Sequence, residues 1–143
     1  MKENFYYDSQ FLQHDIKTLI TENIYSGKDF IYFKLDEKKI LTYTLDFLYN
    51  KWNYKYLSTI VVIERENGFT IKYFINSTSV KKNIIVEVFI EKENPIFTSI
   101  DMIYPVASIF EREINKKYGI IFEGNPETKN VIFNYLETDR EEF

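Results

Sequence analysis

Apolar residues recur along this chain in two rhythms, and each rhythm assigns an element. Leu12, Ile16, Leu19, Ile20 and Ile24 fall three or four residues apart, so residues 9–25 predict an amphipathic helix, with Ser9 as N-cap and Gly27 as its stop. "DFIYFKL" (29–35) reads as a strand. Helical spacing returns over 36–51 through Ile40, Leu41, Thr44, Leu45 and Leu48, with Asp36 placed to cap it. Residues 58–76 are two β-branched runs around Asn67-Gly68, a strong hairpin signal. "NIIVEVFIE" (83–91) is the third strand of that meander. Pro105 and Gly119 bracket a further helix over 105–118. A short apolar strand "IIF" and a rigid loop bent by Gly124 and Pro126 follow. The end of the chain reads as a short strand or turn and then an acidic tail.

The order α-β-α-β-β-β-α predicts an α+β fold: a two-layer α/β sandwich, with a mostly antiparallel, mixed sheet and its helices packed on one face. One domain over 1–136 and a tail over 137–143 are expected, with no repeat and no internal linker. A chain of 143 residues can bury roughly 70% of its unfolded surface, enough for a substantial core.

Composition narrows the chemistry. The chain has no cysteine and one histidine, His14. Thiolate clusters, disulfides, cysteine nucleophiles and multi-histidine metal sites are therefore excluded. No EF-hand loop, GxGxxG or phosphate-binding loop occurs, so no cofactor or metal is expected. A net charge of −4 argues against nucleic acid as a partner on electrostatic grounds. Trp52, between Lys51 and Lys55, reads as a core or interface anchor rather than a base-stacking platform, and His14 as a surface residue. The N-terminus lacks the apolar run of a signal peptide.

The stretch "FEREINKKYGIIFEGNPE" (110–127) holds the candidate site. On a helical wheel Val106, Ala107, Ile109, Phe110, Ile114 and Tyr118 share one broad face. Glu113 falls inside that face and is expected to be a buried carboxylate with a specific partner. Glu111 falls on its flank. Arg112 points away, with Lys116 one turn on. Two carboxylates two residues apart do not face each other on a helix, so a paired-carboxylate hydrolase is not supported.

The same residues carry a family resemblance. "EREINKKYGIIFEGNP", preceded by "SIDMIYPVASIF", resembles the signature of the thirty-kilodalton subunit family of respiratory complex I, a module also found in membrane-bound energy-converting nickel–iron hydrogenases. The hairpin and the strand "IIVEVFIE" come before it in the family's order, so the resemblance covers about residues 22–136 and is specific over 95–127. It implies a domain of that family without a redox centre or catalytic residue. Such a domain docks against the large subunit and other subunits of the cytoplasmic arm, peripheral on the inner face of the cell membrane. The residues implied at the partner interface are Glu111, Arg112, Glu113, Lys116, Tyr118, Gly119, Phe122, Gly124, Asn125 and Pro126. The chain departs from the pattern at Lys116, where the family usually has Asp, at Asn125, where it has His, and at Lys129-Asn130, where a basic pair is usual. The rival reading, a stand-alone ligand-binding or regulatory domain, requires a concave pocket with convergent polar groups.

Overall fold

A computed structural model describes residues 24–36 and 38–128. The chain enters through β1 (Ile24–Ser26) and turns into β2 (Phe30–Lys34). The turn is closed by Gly27 N–H donating to Phe30 O at 2.7 Å. A 3-10 turn (Lys38–Ile40) leads into helix α1 (Leu41–Lys51). The meander β3 (Tyr56–Glu64), β4 (Gly68–Asn76) and β5 (Asn83–Glu91) comes next. The short β6 (Ile96–Thr98), helix α2 (Ala107–Tyr118) and β7 (Ile121–Glu123) complete it.

The main sheet has five strands in the order β1-β2-β5-β4-β3. Every pairing in it is antiparallel except β2 with β5. The connection from β2 to the meander passes through α1, and a crossover of that length is what a parallel pair requires. Alternation then sorts the side chains. Ile31, Phe33, Phe69, Ile71, Tyr73, Ile75, Ile84, Val86, Val88 and Ile90 form one buried face. Leu41, Leu45 and Leu48 of α1 and Ala107 and Ile114 of α2 belong to the same core cluster, so both helices cover that one face. The α+β sandwich is therefore as the order of elements predicts. Trp52 sits in this core, edge-on to Phe33 and Phe47 with ring centroids 6.1 and 5.7 Å away.

Several expectations change. Ile24 and Tyr25 do not end a helix, because they pair as β1 with Phe33 and Tyr32; strand pairing overrides their helical spacing. The rest of the predicted helix over 9–25, with His14, lies outside the described residues, as does the acidic tail. Asp36 is not the N-cap of α1, since that position is Ile40 and no side chain caps it. The hairpin expected at Asn67-Gly68 forms, with β3 and β4 antiparallel, and Gly68 has no positive φ. It opens β4, and a Cβ there would meet Ile90 O at 2.2 Å and the Phe89 ring at 2.4 Å. The glycine serves close strand packing, and the hairpin is closed by Arg65 N–H to Gly68 O at 2.7 Å. Finally, β6 and β7 form a parallel two-stranded sheet of their own, a pairing that the local pattern of β6 does not announce.

Candidate functional site

The site is built where β6, α2 and β7 meet. Helix α2 ends as its sequence predicts: Gly119 adopts left-handed φ 76°, and its N–H bonds Asn115 O at 2.8 Å. The buried positions of α2 are Ala107, Glu111, Ile114 and Asn115. Spacings of four, seven and eight define a stripe centred away from Val106 and Ile109.

The glutamate assignment is thereby reversed. Glu111 is 0% exposed, whereas the Glu113 side chain is 61% exposed. Val106 and Ile109 are exposed as well. The wheel places Glu113 between Ile109 and Phe110, but Ile109 faces solvent and Phe110 is only partly buried. Apolarity alone draws the predicted face toward Val106 and Ile109. The fold instead buries two polar residues that find partners.

Those partners define a clamp. The Glu111 carboxylate accepts from Ser99 Oγ at 2.6 Å, Ile100 N–H at 2.9 Å and Asn125 Nδ2 at 3.0 Å. Asn125 also donates to Ser108 O at 3.2 Å and accepts Glu127 N–H at 3.0 Å. One carboxylate thus ties the segment after β6, helix α2 and the turn after β7 together. Gly124 makes that turn possible with φ 100°. Thr128 closes it: its hydroxyl receives Phe122 N–H at 3.0 Å and lies 2.9 Å from Phe122 O. Phe122 is fully buried, its ring 6.3 Å from Phe97. Asn115 Nδ2 holds Ile120 O at 2.9 Å.

Burial pushes the Glu111 carboxyl above its ordinary range, opposed by its three donors. Tyr73, on the central strand β4, is wholly buried; burial, and then the nearby Glu111 charge, raise its phenol far above the usual value. Its hydroxyl has no hydrogen-bond partner among the described residues.

The remaining predicted residues form the rim. Arg112 Nη1 lies 3.4 Å from Glu127 Oε2, and its Nε lies 3.8 Å from Glu113. Lys116 lies 4.0 Å from the same Glu113 carboxylate. Arg112 is therefore paired within the chain rather than free, and Glu113 stands between the two cations. Tyr118 is half-buried against Phe69 at 5.7 Å, and Pro126 is exposed. The fold brings Glu111 and Asn125 into contact and Arg112, Glu113 and Lys116 into one ion-paired row. Reading along the sequence overlooks Ser99, Thr128 and Asn115 as site residues. Ser99 stands in the motif's lead-in, which is a usable signal; nothing local marks Thr128.

Chemically, the clamp orients and rigidifies. No group of three or more metal-ligating side chains occurs among the described residues, and no helix among them is long and apolar enough to cross a membrane. Two open clefts, of about 570 and about 360 Å³, share Lys38, Lys39 and Asn94 in their walls. Neither is lined by Glu111, Arg112 or Asn125.

A mixed sheet covered on one face by two helices, with a clamped turn at its end, defines a small α+β scaffold. The pattern of the respiratory-chain NADH dehydrogenase 30 Kd subunit matches residues 34–138, and the chain belongs to that family. It is 31% identical over 67 residues to the C subunit of the NADH-quinone oxidoreductase of Legionella pneumophila (strain Corby), covering 47% of this chain and 30% of that one. To the corresponding protein of Caulobacter vibrioides it is 32% identical over 72 residues, covering 50% of this chain and 36% of that one. The chain thus spans about a third of the length of the curated relatives it matches. Among solved structures, a trypsin-resistant fragment of Nqo5 has a similar fold, with TM-score 0.65 at 19% identity, covering 87% of this chain and 96% of that one. A chain of a membrane-bound sulfane sulfur reductase, an archaeal respiratory membrane complex, has TM-score 0.69 at 18% identity, covering 80% of this chain and 71% of that one.

Proposed function

We propose that this protein is a docking subunit with no redox cofactor of its own. It serves the cytoplasmic arm of a complex I-like NADH:quinone oxidoreductase or an energy-converting nickel–iron hydrogenase. It binds the large subunit through the outer side of α2 and the turn 119–127. Family membership and the likeness to chains of respiratory complexes support the assembly. The observation that carries the role is the Glu111 clamp, which joins three segments around a buried carboxylate and presents a preorganised, unreactive surface. Preorganisation lowers the ordering cost of association. The complex holds the chain at the inner face of the membrane indirectly, through its partners.

Co-expression with the large subunit of such a complex tests this reading. The pair should co-purify, and Arg112→Ala with Asn125→Ala should weaken the association. Full retention by the double variant would exclude this surface. Stoichiometric iron, nickel or zinc, or a flavin band, in the purified chain would contradict a cofactor-free role.

A further inference from the structure

Three connections meet at one end of the main sheet. Phe30 pairs with Asn83 and Tyr56 with Asn76, so the turn 27–29, the loop 52–55 and the loop 77–82 share that end. Hydrogen bonds knit them together. Asn53 Nδ2 donates to Ser79 Oγ at 2.8 Å, the Tyr54 hydroxyl to Lys82 O at 2.8 Å, and Asn83 N–H to Asp29 O at 2.9 Å. Lys82 is buried, and its ammonium donates to Ser26 Oγ at 2.8 Å. With Lys51 at the end of α1, these loops carry Lys28, Lys51, Lys55, Lys81 and Lys82 against a single acid, Asp29, on a chain whose net charge is −4. None of the five lysines makes an ion pair among the described residues; the cations that do, Lys72, Lys92, Arg112 and Lys116, lie elsewhere. Asp46 of α1 and Asp101 of the segment after β6, on elements packed beside these loops, pair with none of them, and Asp46 accepts Asn50 Nδ2 at 3.0 Å instead. Lys55 rests on the neutral ring of Tyr49 at 5.1 Å, which leaves its charge uncompensated.

We infer that this lysine band docks an acidic polypeptide segment, one that presents several carboxylates along an extended run. The contact is additional to the one on α2 and does not depend on it. Like charges gathered this way repel one another in the isolated chain, and carboxylates brought by a partner relieve that repulsion. The size of the band selects the partner. The turn 27–29 joins β1 to β2 and the loop 52–55 leads into β3, so the band crosses the sheet from one edge to the other, about 19 Å at about 4.8 Å per strand spacing. A single small anion cannot answer that length, whereas about six residues of extended chain, at about 3.3 Å each, span it. Val80 is the one aliphatic side chain exposed on these three connections, so they offer no apolar run to insert beneath lipid headgroups.

The test titrates the full chain against a fluorescently labelled peptide of about ten glutamates and reads anisotropy. Wild type should bind, and its affinity should fall at least about tenfold between about 50 and about 300 mM salt, since screening acts on exposed charges. Lys28→Glu combined with Lys81→Glu, both at exposed loop positions, should weaken binding at least about tenfold while the thermal melt stays at the wild-type position. Lys117→Glu, at an exposed lysine of α2 outside the band, should change affinity less than about threefold. Absence of wild-type binding at low salt, or an equal loss in Lys117→Glu, overturns the inference. Tighter binding of an oligothymidylate of the same length, or of phosphatidylserine vesicles, than of the peptide assigns the band to phosphate groups and overturns the carboxylate partner. A wild-type homodimer that the double variant converts to monomer assigns it to a second copy of this chain and overturns the heteromeric contact.

Discussion

Replacing Glu111 with Ala should be the most damaging single change in α2. The carboxylate is fully buried and accepts hydrogen bonds from Ser99, Ile100 and Asn125. Its removal leaves the Ile100 N–H without an acceptor, a loss of about 1–3 kcal/mol. The vacated space adds a cavity cost of about 1–2 kcal/mol. Relief of the carboxylate's own desolvation, the same effect that raises its pKa, offsets part of this. The net loss is about 2–4 kcal/mol, or roughly 7–13 °C in Tm for a chain of this size. Glu113→Ala, at an exposed site with two long ion pairs, should stay within about 0.5 kcal/mol. The two variants are compared by thermal melts and urea titration at neutral pH. Equal effects, or a larger one at Glu113, would refute the assignment of the buried glutamate. The pH dependence adds a second reading. The folded carboxyl is raised above its ordinary 4.5, so the folded state binds the proton more tightly than the unfolded one. Glu111 therefore contributes stability below 4.5 that is lost as pH rises toward its folded value, and no further above it. The stability of wild type minus that of Glu111→Gln should fall with rising pH across that window. A rise would mean that the three donors outweigh burial.

Other outcomes follow from single contacts. Tyr73→Phe removes a buried hydroxyl without a hydrogen-bond partner among the described residues and should raise stability by about 1 kcal/mol in a urea titration; a loss of that size would reveal a bound partner. Gly68→Ala places a methyl group 2.2 Å from Ile90 O and should cost at least about 2 kcal/mol by thermal melt, with a neutral result showing that the β4–β5 pair can yield. Lys116→Asp exchanges a weak pair with Glu113 for one with Arg112 one turn away and should leave the melt within about 0.5 kcal/mol.

Local pattern is enough for the α+β class, for both described helices to within a few residues, for the strand 83–91, for the Gly119 helix stop and for the family signature. These are short-range signals: a period of two or 3.6, a glycine that can take positive φ, a proline that cannot continue a helix. Which glutamate is buried is a different kind of question. Val106 and Ile109 outweigh Glu111 on a helical wheel, but burial is settled by what stands opposite. Only the fold brings Ser99, Ile100 and Asn125 to within 3.0 Å of Glu111. The β6–β7 pair likewise joins residues across the whole of α2, through backbone hydrogen bonds that no local pattern records. Gly68 carries the same lesson, since its Asn-Gly pairing predicts a turn while its lack of a Cβ answers the neighbouring strand. A polar side chain can be buried only when distant segments satisfy it, and a periodicity read along one segment carries no information about them.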